Sequence, residues 1–197
     1  MGKLIVLMGK SASGKDTIFR LLQADASLNL KELVPYTTRP MRDGEVEGKA
    51  YHFVSEEDFS ALLEQGLVIE HRAYHTVHGL WRYFTVKDAQ LDLDRNSYLL
   101  IATLEAYNSM VAYFGREKVV PIMISLDDGV RLERALARER QQDKPRYEEM
   151  CRRFLADSAD YAQEKIEAAG ITRSFENVSV EECKEEISAY IKQQSAL

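Results

Sequence analysis

The chain has 197 residues, of which 45% are hydrophobic, so it can bury a full core, and its length predicts one domain with an inserted lobe. Its formal net charge of −6 argues against a general nucleic-acid binder, which needs an excess of lysine and arginine. No apolar run reaches the length of a membrane span or of a signal-peptide core, and Cys151 and Cys183 lack metal-ligand spacing, so we expect a soluble cytoplasmic protein with no membrane partner.

The first predicted elements are a buried strand and a phosphate-binding loop. The apolar run at residues 4–8 leads into a Gly-x-x-x-x-Gly-Lys motif, and a helical pattern follows at residues 17–26. The loop amides and the positive end of the next helix would face an anion, and Lys15 would bring a mobile charge to the β- and γ-phosphates. The predicted ATP-binding residues of this segment are Gly9, Ser11, Ala12, Ser13, Gly14, Lys15, Asp16 and Thr17.

The residue after the loop lysine departs from the usual motif. A serine or threonine hydroxyl normally binds Mg²⁺ there, but this chain has Asp16, with Thr17 one position later. A carboxylate beside a polyphosphate is unfavourable unless a cation lies between them. Thr17 and Asp16 are therefore both candidate Mg²⁺ ligands.

Residues 36–90 are predicted to form an inserted, aromatic-rich β-lobe. Short strands are expected at 51–54, 67–70 and 80–86, around a helix at 56–65 for which Ser55 is the N-cap. Within this lobe two arginines, Arg39 and Arg42, lie near glycines, an acidic residue and Tyr51. Because arginine forks bind a phosphate monoester through two parallel hydrogen bonds, the lobe predicts a second anion site.

The rest of the chain alternates apolar strands with helices. Strands are predicted at 98–104 and 119–125, and helices at 105–114, 128–140, 146–169 and 180–194. This order predicts an α/β fold with a doubly wound parallel sheet, built from residues 1–35 and 91–197. Ligands of such folds bind at the carboxyl ends of the strands.

The helices of the C-terminal half are rich in arginine. One helix carries Arg131, Arg134, Arg138 and Arg140, and the next carries Arg152 and Arg153. Positioned cations would stabilise the charge that spreads over a migrating phosphoryl group. The alternative is that these arginines form surface pairs with nearby glutamates, which we expect of at least half of them.

The loop and the insert together resemble guanylate kinases. The insert reads Tyr36-Thr37-Thr38-Arg39-Pro40-Met41-Arg42-Asp43-Gly44-Glu45, then Gly48-x-x-Tyr51-x-Phe53, then a strand that ends in Glu70. The resemblance covers nearly the whole chain. It implies a P-loop kinase fold in one domain of residues 1–197, with a GMP-binding lobe at 36–90 and a helical lid at about 138–152. It also implies that ATP phosphorylates GMP to GDP with Mg²⁺.

The resemblance also implies roles for individual residues. Arg39, Arg42 and Tyr51 would hold the GMP phosphate, Glu45 would brace the arginines, and Glu70 would accept hydrogen bonds from guanine. The remaining roles are a GMP-pocket position for His78, catalytic positions for Lys15, Arg134, Arg138 and Arg153, and a position near the ATP base for Asn177.

Several positions depart from the family pattern. Pro35 stands in place of a serine, Ala50 in place of an aspartate and His78 in place of an aromatic residue, and the Asp-x-Asp after the third core strand is missing. Two alternatives therefore stay open: a kinase of the same fold for another phosphorylated acceptor, and a catalytically weak guanylate kinase-like binding module. The sequence is compatible with either a monomer or a homodimer.

Overall fold

A computed structural model describes residues 2–76 and 79–195. In chain order its strands are β1 (Leu4–Met8), β2 (Leu30–Glu32), β3 (Tyr36–Thr37), β4 (His52–Phe53), β5 (Val68–Thr76), β6 (Gly79–Val86), β7 (Ser97–Ile101), β8 (Val119–Ser125) and β9 (Ser174–Glu176). Its α-helices are α1 (Lys15–Ala24), α2 (Glu56–Glu64), α3 (Leu104–Phe114), α4 (Asp128–Arg140), α5 (Tyr147–Asp160), α6 (Gln163–Ala168) and α7 (Val180–Ser195).

A five-stranded parallel sheet, in the order β2-β7-β1-β8-β9, forms the core. Every residue of β1 is fully buried, because helices cover both faces of the sheet. Leu4 belongs to the cluster that includes Tyr107 of α3, whereas Ile5 belongs to the cluster that includes Ile18 of α1 and Ile187 of α7. The predicted doubly wound α/β fold is confirmed.

A separate mixed sheet, in the order β4-β3-β6-β5, forms the inserted lobe. The strand β3 runs parallel to β4 and antiparallel to β6, which is antiparallel to β5. The lobe has a small core of its own around Phe59, Phe84 and Val86. Ser55 caps α2 as predicted, in a reciprocal capping box with Asp58.

Two predicted elements end earlier than expected. The helix predicted at 146–169 is wrong as one element, since α5 ends at Asp160 and α6 begins at Gln163. Between them Tyr161 leaves the helical conformation, and its ring is buried in the core beneath the sheet. The strand predicted at 98–104 ends at Ile101 because the Thr103 side chain caps α3 by accepting the Ala106 N–H.

The other helices lie close to their predicted positions. The bounds of α4 are those predicted, and α7 extends one residue beyond 194. The helix predicted at 17–26 begins and ends two residues earlier, at Lys15 and Ala24. Within the described residues no helix combines the length and the apolar character that crossing a membrane requires.

Candidate active site

The phosphate loop connects β1 to α1 and needs its glycines for steric reasons. Gly9 has φ 147° and Gly14 has φ 90°, a region of backbone conformation that favours glycine. A Cβ at Gly9 would lie 2.4 Å from the carbonyl oxygen of Ile124, and one at Gly14 would lie 2.2 Å from Nδ2 of Asn177. Ala12 also has a positive φ, 61°, which is uncommon for a residue with a side chain. The loop is therefore held in a strained, tightly packed conformation.

Lys15 lies folded over the loop. Its ammonium donates to the carbonyl oxygens of Gly9 at 2.6 Å and of Lys10 at 2.9 Å. Burial lowers the pKa of Lys15 to about 8, and the nearby carboxylates of Asp16 and Asp157 partly offset this effect. The ammonium is thus a largely desolvated cation that lies against the loop carbonyls.

The outer part of the loop is bonded to α4 and α5. Asp157 accepts the backbone N–H of Ser11 at 2.7 Å, and Arg131 donates to the Ser11 carbonyl at 3.0 Å and to Asp157 at 3.2 Å. Arg131 is almost completely buried and also pairs with Asp128. The sequence predicted Arg131 only as a member of a cluster and gave no signal for Asp157, whose partner is 146 residues away.

The structure brings most of the predicted donor-site residues together around this loop. Arg153 donates to the Ser11 hydroxyl at 3.3 Å, and Arg134 donates to the Asn177 carbonyl at 3.5 Å. Asn177 is buried and donates to the Ser13 carbonyl at 2.8 Å. Arg138 is exposed on α4.

Within the described residues only one of the six arginines of α4 and α5 pairs with a glutamate, so the expected surface pairing of at least half of them is wrong. Arg152 pairs with Glu149 on the exposed side of α5. The buried Arg131 instead bonds to two aspartates, the half-exposed Asp128 of α4 and Asp157 of α5. Arg131 does not form such a surface pair, because its long side chain reaches under the loop to the Ser11 carbonyl.

A β-bulge directs Glu70 to the side of the inserted sheet that faces the core. Val68 lies opposite Val86 and Glu70 lies opposite Thr85, so Ile69 is the extra residue and packs into the main core. Beyond the bulge, alternate residues of β5 lie on this side of the sheet. We call it the acceptor face, and its members are Glu70, Arg72, Tyr74, Trp81, Tyr83 and Thr85.

Arg39 and Tyr51 lie next to Tyr83 of the acceptor face. The buried Arg39 guanidinium makes two hydrogen bonds to Glu45, at 2.5 and 2.7 Å, and lies 5.1 Å from the ring centroid of Tyr51. The Tyr51 ring contacts Tyr83 edge to face at 5.6 Å. Glu45 also accepts the backbone N–H of the exposed Arg42 at 2.8 Å. The hydrogen bonds from Arg39 lower the pKa of Glu45 to about 2.

Glu70 is buried, and both of its oxygens accept hydrogen bonds. Oε1 accepts the Thr85 hydroxyl at 2.8 Å, and Oε2 accepts Nε of Arg72 at 3.1 Å. Sequence reasoning missed Arg72, although its position two residues after Glu70 on a strand places both on one face. The predicted site residue His78 lies outside the described residues.

Comparison with known proteins decides the family. A family model described as Guanylate kinase matches residues 1–111, more than half of the chain. The chain belongs to the guanylate kinase family. A guanylate kinase of Anaplasma phagocytophilum is 33% identical over 146 residues, which are 73% of this chain and 67% of that relative. The crystal structure of a guanylate kinase from the same organism has the same fold, with a TM-score of 0.69 and 24% identity, and covers 98% of this chain and 86% of that one.

Other guanylate kinases match shorter parts of the chain. The relative from Chlorobium luteolum is 43% identical over 79 residues, and the one from Mycoplasma mobile is 35% identical over 128 residues. These matches span 39% and 61% of the two relatives and 40% and 64% of this chain. The guanylate kinase family model includes the loop and the acceptor face. It ends before α4 and α5, which carry Arg134, Arg138 and Arg153.

Proposed function

We propose that this protein is a cytoplasmic guanylate kinase that transfers the γ-phosphoryl group of ATP to GMP, giving ADP and GDP. One observation supports the proposal: the chain has a glycine-dependent loop with a half-buried lysine folded over it, and separately a buried arginine whose guanidinium is held by Glu45. A triphosphate fits the first site and a nucleoside monophosphate fits the second.

In the donor site, the loop amides and Lys15 would bind the β- and γ-phosphates. Lys15 makes hydrogen bonds only to loop carbonyls within the described residues, so it can turn to a phosphate without breaking an ion pair. Asn177 would support the loop through the Ser13 carbonyl. Arg134 and Arg153 lie at the edge of the loop, where they would stabilise charge on the migrating group.

The residues at the start of α1 suit Mg²⁺. The Thr17 hydroxyl and the exposed Asp16 carboxylate are oxygen ligands of the kind that this cation prefers. The described part of the chain holds no group of three or more histidine, cysteine, aspartate or glutamate residues fit for a metal. Thr17 or Asp16 would therefore share the ion with phosphate oxygens and water, and the ion would neutralise phosphate charge.

In the acceptor site, Arg39, Arg42 and Tyr51 would bind the phosphate of GMP. Glu45 holds the Arg39 fork and the Arg42 backbone in place. Glu70 would accept the adjacent N–H groups of guanine. Adenine would instead present a ring nitrogen acceptor to this carboxylate, and an unsatisfied buried acceptor costs about 1–3 kcal/mol, roughly a ten- to hundredfold preference.

The reaction needs no protein nucleophile, because the GMP phosphate oxygen attacks directly. We propose that residues 138–152, with Arg138, act as a lid that closes with the inserted lobe over residues of the core domain. Closure would exclude water and suppress hydrolysis of ATP.

An acceptor screen tests this proposal. The purified protein is incubated with ATP, Mg²⁺ and each nucleoside monophosphate in turn, and ADP release is followed, with Lys15→Ala as the background control. We expect rapid turnover with GMP, much slower turnover with AMP, and none in the variant. Turnover with another phosphorylated acceptor would favour a different kinase of this fold, and GMP binding without turnover would favour a binding module; either result would overturn the proposal.

A further inference from the structure

Arg72 occupies a central position on the acceptor face. It lies between Glu70 and Tyr74 on β5, opposite Tyr83, and its side chain is only 13% exposed. Its Nε donates to Glu70 and its Nη1 donates to the Thr103 hydroxyl, at 3.2 Å. Since Thr103 caps α3 of the core, Arg72 is fixed at the junction between the inserted lobe and the core.

The Arg72 guanidinium has N–H donors besides those that bind Glu70 and Thr103. It carries five N–H groups, of which the hydrogen bonds to Glu70 and Thr103 use two. Within residues 2–76 and 79–195, Nη2 makes no hydrogen bond to the protein. Because the guanidinium is planar, one Nη2–H is parallel to Nε–H and points in the direction of the Glu70 carboxylate.

The Glu70 carboxylate keeps acceptor capacity of its own. Each of its oxygens has two lone-pair sites, and Thr85 and Arg72 use one on each oxygen. These two bonds fix the plane of the carboxylate. A base that binds Glu70 with its middle N–H on Oε2 would have the next atom of its edge on the side of the Arg72 guanidinium.

We propose that Arg72 determines specificity by donating a hydrogen bond to the 6-carbonyl oxygen of the acceptor purine. The inference rests on the proposed function, since it takes GMP as the acceptor. The edge of guanine presents two N–H donors followed by O6, which matches a carboxylate followed by a guanidinium. A 6-amino purine would direct a donor at Arg72 and so leave both groups unsatisfied.

A cycle of protein and ligand variants tests this contact. Calorimetry measures the binding of GMP and of 6-thio-GMP, which keeps both N–H donors but replaces O6 with sulfur, a weaker acceptor. We expect the wild type to bind 6-thio-GMP about tenfold more weakly than GMP, as expected for loss of a charged hydrogen bond. In Arg72→Ala the two ligands should bind equally within about twofold.

The matched control is Arg82→Ala, in which the lost arginine lies on the opposite side of the same sheet and pairs with Glu56. In this variant the ratio of the dissociation constants for 6-thio-GMP and GMP should be that of the wild type. If Arg72→Ala does not fold, as judged by thermal unfolding, Arg72→Gln replaces it with the same expectation.

The outcomes separate this inference from the proposed function. An unchanged ratio in the Arg72 variant would show that Arg72 only joins the lobe to the core. A wild-type ratio near one, with GMP bound, would overturn the inference without any variant and leave the proposed function intact. Failure of the wild type to bind GMP at all would overturn the proposed function, and with it this inference.

Discussion

Asp157 accepts the backbone N–H of Ser11 at 2.7 Å, so the arginine-rich helix α5 is bonded directly to the phosphate loop. The same carboxylate pairs with Arg131, which is 1% exposed and donates to the Ser11 carbonyl. One aspartate therefore satisfies a loop amide and a buried cation together. The conformation of the loop depends on this contact as well as on its own glycines.

Replacing Asp157 should cost stability. Among the described residues, Asp157→Ala leaves the buried Arg131 with Asp128 as its one ion-pair partner and removes the hydrogen-bond acceptor of the Ser11 amide. We expect the free energy of unfolding to fall by about 3 kcal/mol, as is typical when one partner of a buried pair is removed. Urea denaturation measures this change.

Asp160→Ala is the control for that experiment, since Asp160 is exposed on the same helix. Its unfolding free energy should stay within about 0.5 kcal/mol of the wild type. Equal losses in the two variants would show that the contact between Asp157 and Ser11 does not stabilise the loop.

Lys15 should give the stability a characteristic pH dependence. Its folded-state pKa of about 8 is below the ordinary lysine value of 10.5, so between these pH values the unfolded chain binds more protons and stability rises with pH. At pH 7 the desolvation of the Lys15 ammonium lowers the free energy of unfolding by roughly 3 kcal/mol. Lys15→Met should therefore be more stable than the wild type at pH 7, and the difference should shrink as the pH rises from 8 to 10.5.

Chemical denaturation at several pH values measures this difference. Comparison with the variant cancels the titration of other groups in the same range. A constant difference from pH 7 to 10 would mean that the Lys15 ammonium is not desolvated in the folded protein.

The planar guanidinium of Arg39, with its parallel N–H donors, should be needed for GMP binding. Arg39→Lys keeps the charge but loses the two parallel hydrogen bonds to Glu45. We expect the KM for GMP to rise by at least about tenfold, with a smaller change in kcat, because a positioned phosphate contact is lost. Steady-state kinetics at saturating ATP measure both.

The control is Arg95→Lys, since Arg95 is 85% exposed and pairs with Asp92 at the surface. Its KM should be that of the wild type. An unchanged KM in Arg39→Lys would place the GMP phosphate elsewhere.

Glu70 should control the preference for guanine. Glu70→Gln replaces a buried acceptor of two N–H groups by an amide that also carries donors. We expect the ratio of kcat/KM for GMP to that for AMP to fall by about tenfold. Glu57→Gln, on the exposed side of α2, should keep the ratio. If both variants keep the wild-type ratio, the proposed contact between Glu70 and guanine is wrong.

Local signals predicted the fold well. The phosphate loop, the apolar strands and α4 follow from periodicity and spacing over a few residues, and the structure places them close to those positions. The break after Asp160 was missed, because the burial of Tyr161 depends on its packing against distant elements. Very short strands such as β3 have too few residues to show a pattern.

The acceptor part of the candidate site was predicted from a contiguous motif, whereas Arg134, Arg153 and Asn177 were predicted from the family resemblance. Arg39, Glu45 and Tyr51 lie within thirteen positions of each other and meet in the structure as one cluster. Arg72 and Asp157 were not found, because their roles depend on partners 31 and 146 residues away. The sequence pattern did not predict the bulge at Ile69 either, because the bulge depends on the register between β5 and β6.

Two separate anion sites should bind a donor triphosphate and GMP. Calorimetric titration of GMP into the wild type, with ATP titrated into a second sample, measures both affinities. We expect both ligands to bind, and Arg39→Ala to lose GMP binding while it keeps ATP binding. A wild-type protein that binds ATP but shows no heat with GMP would show that the second site does not bind GMP.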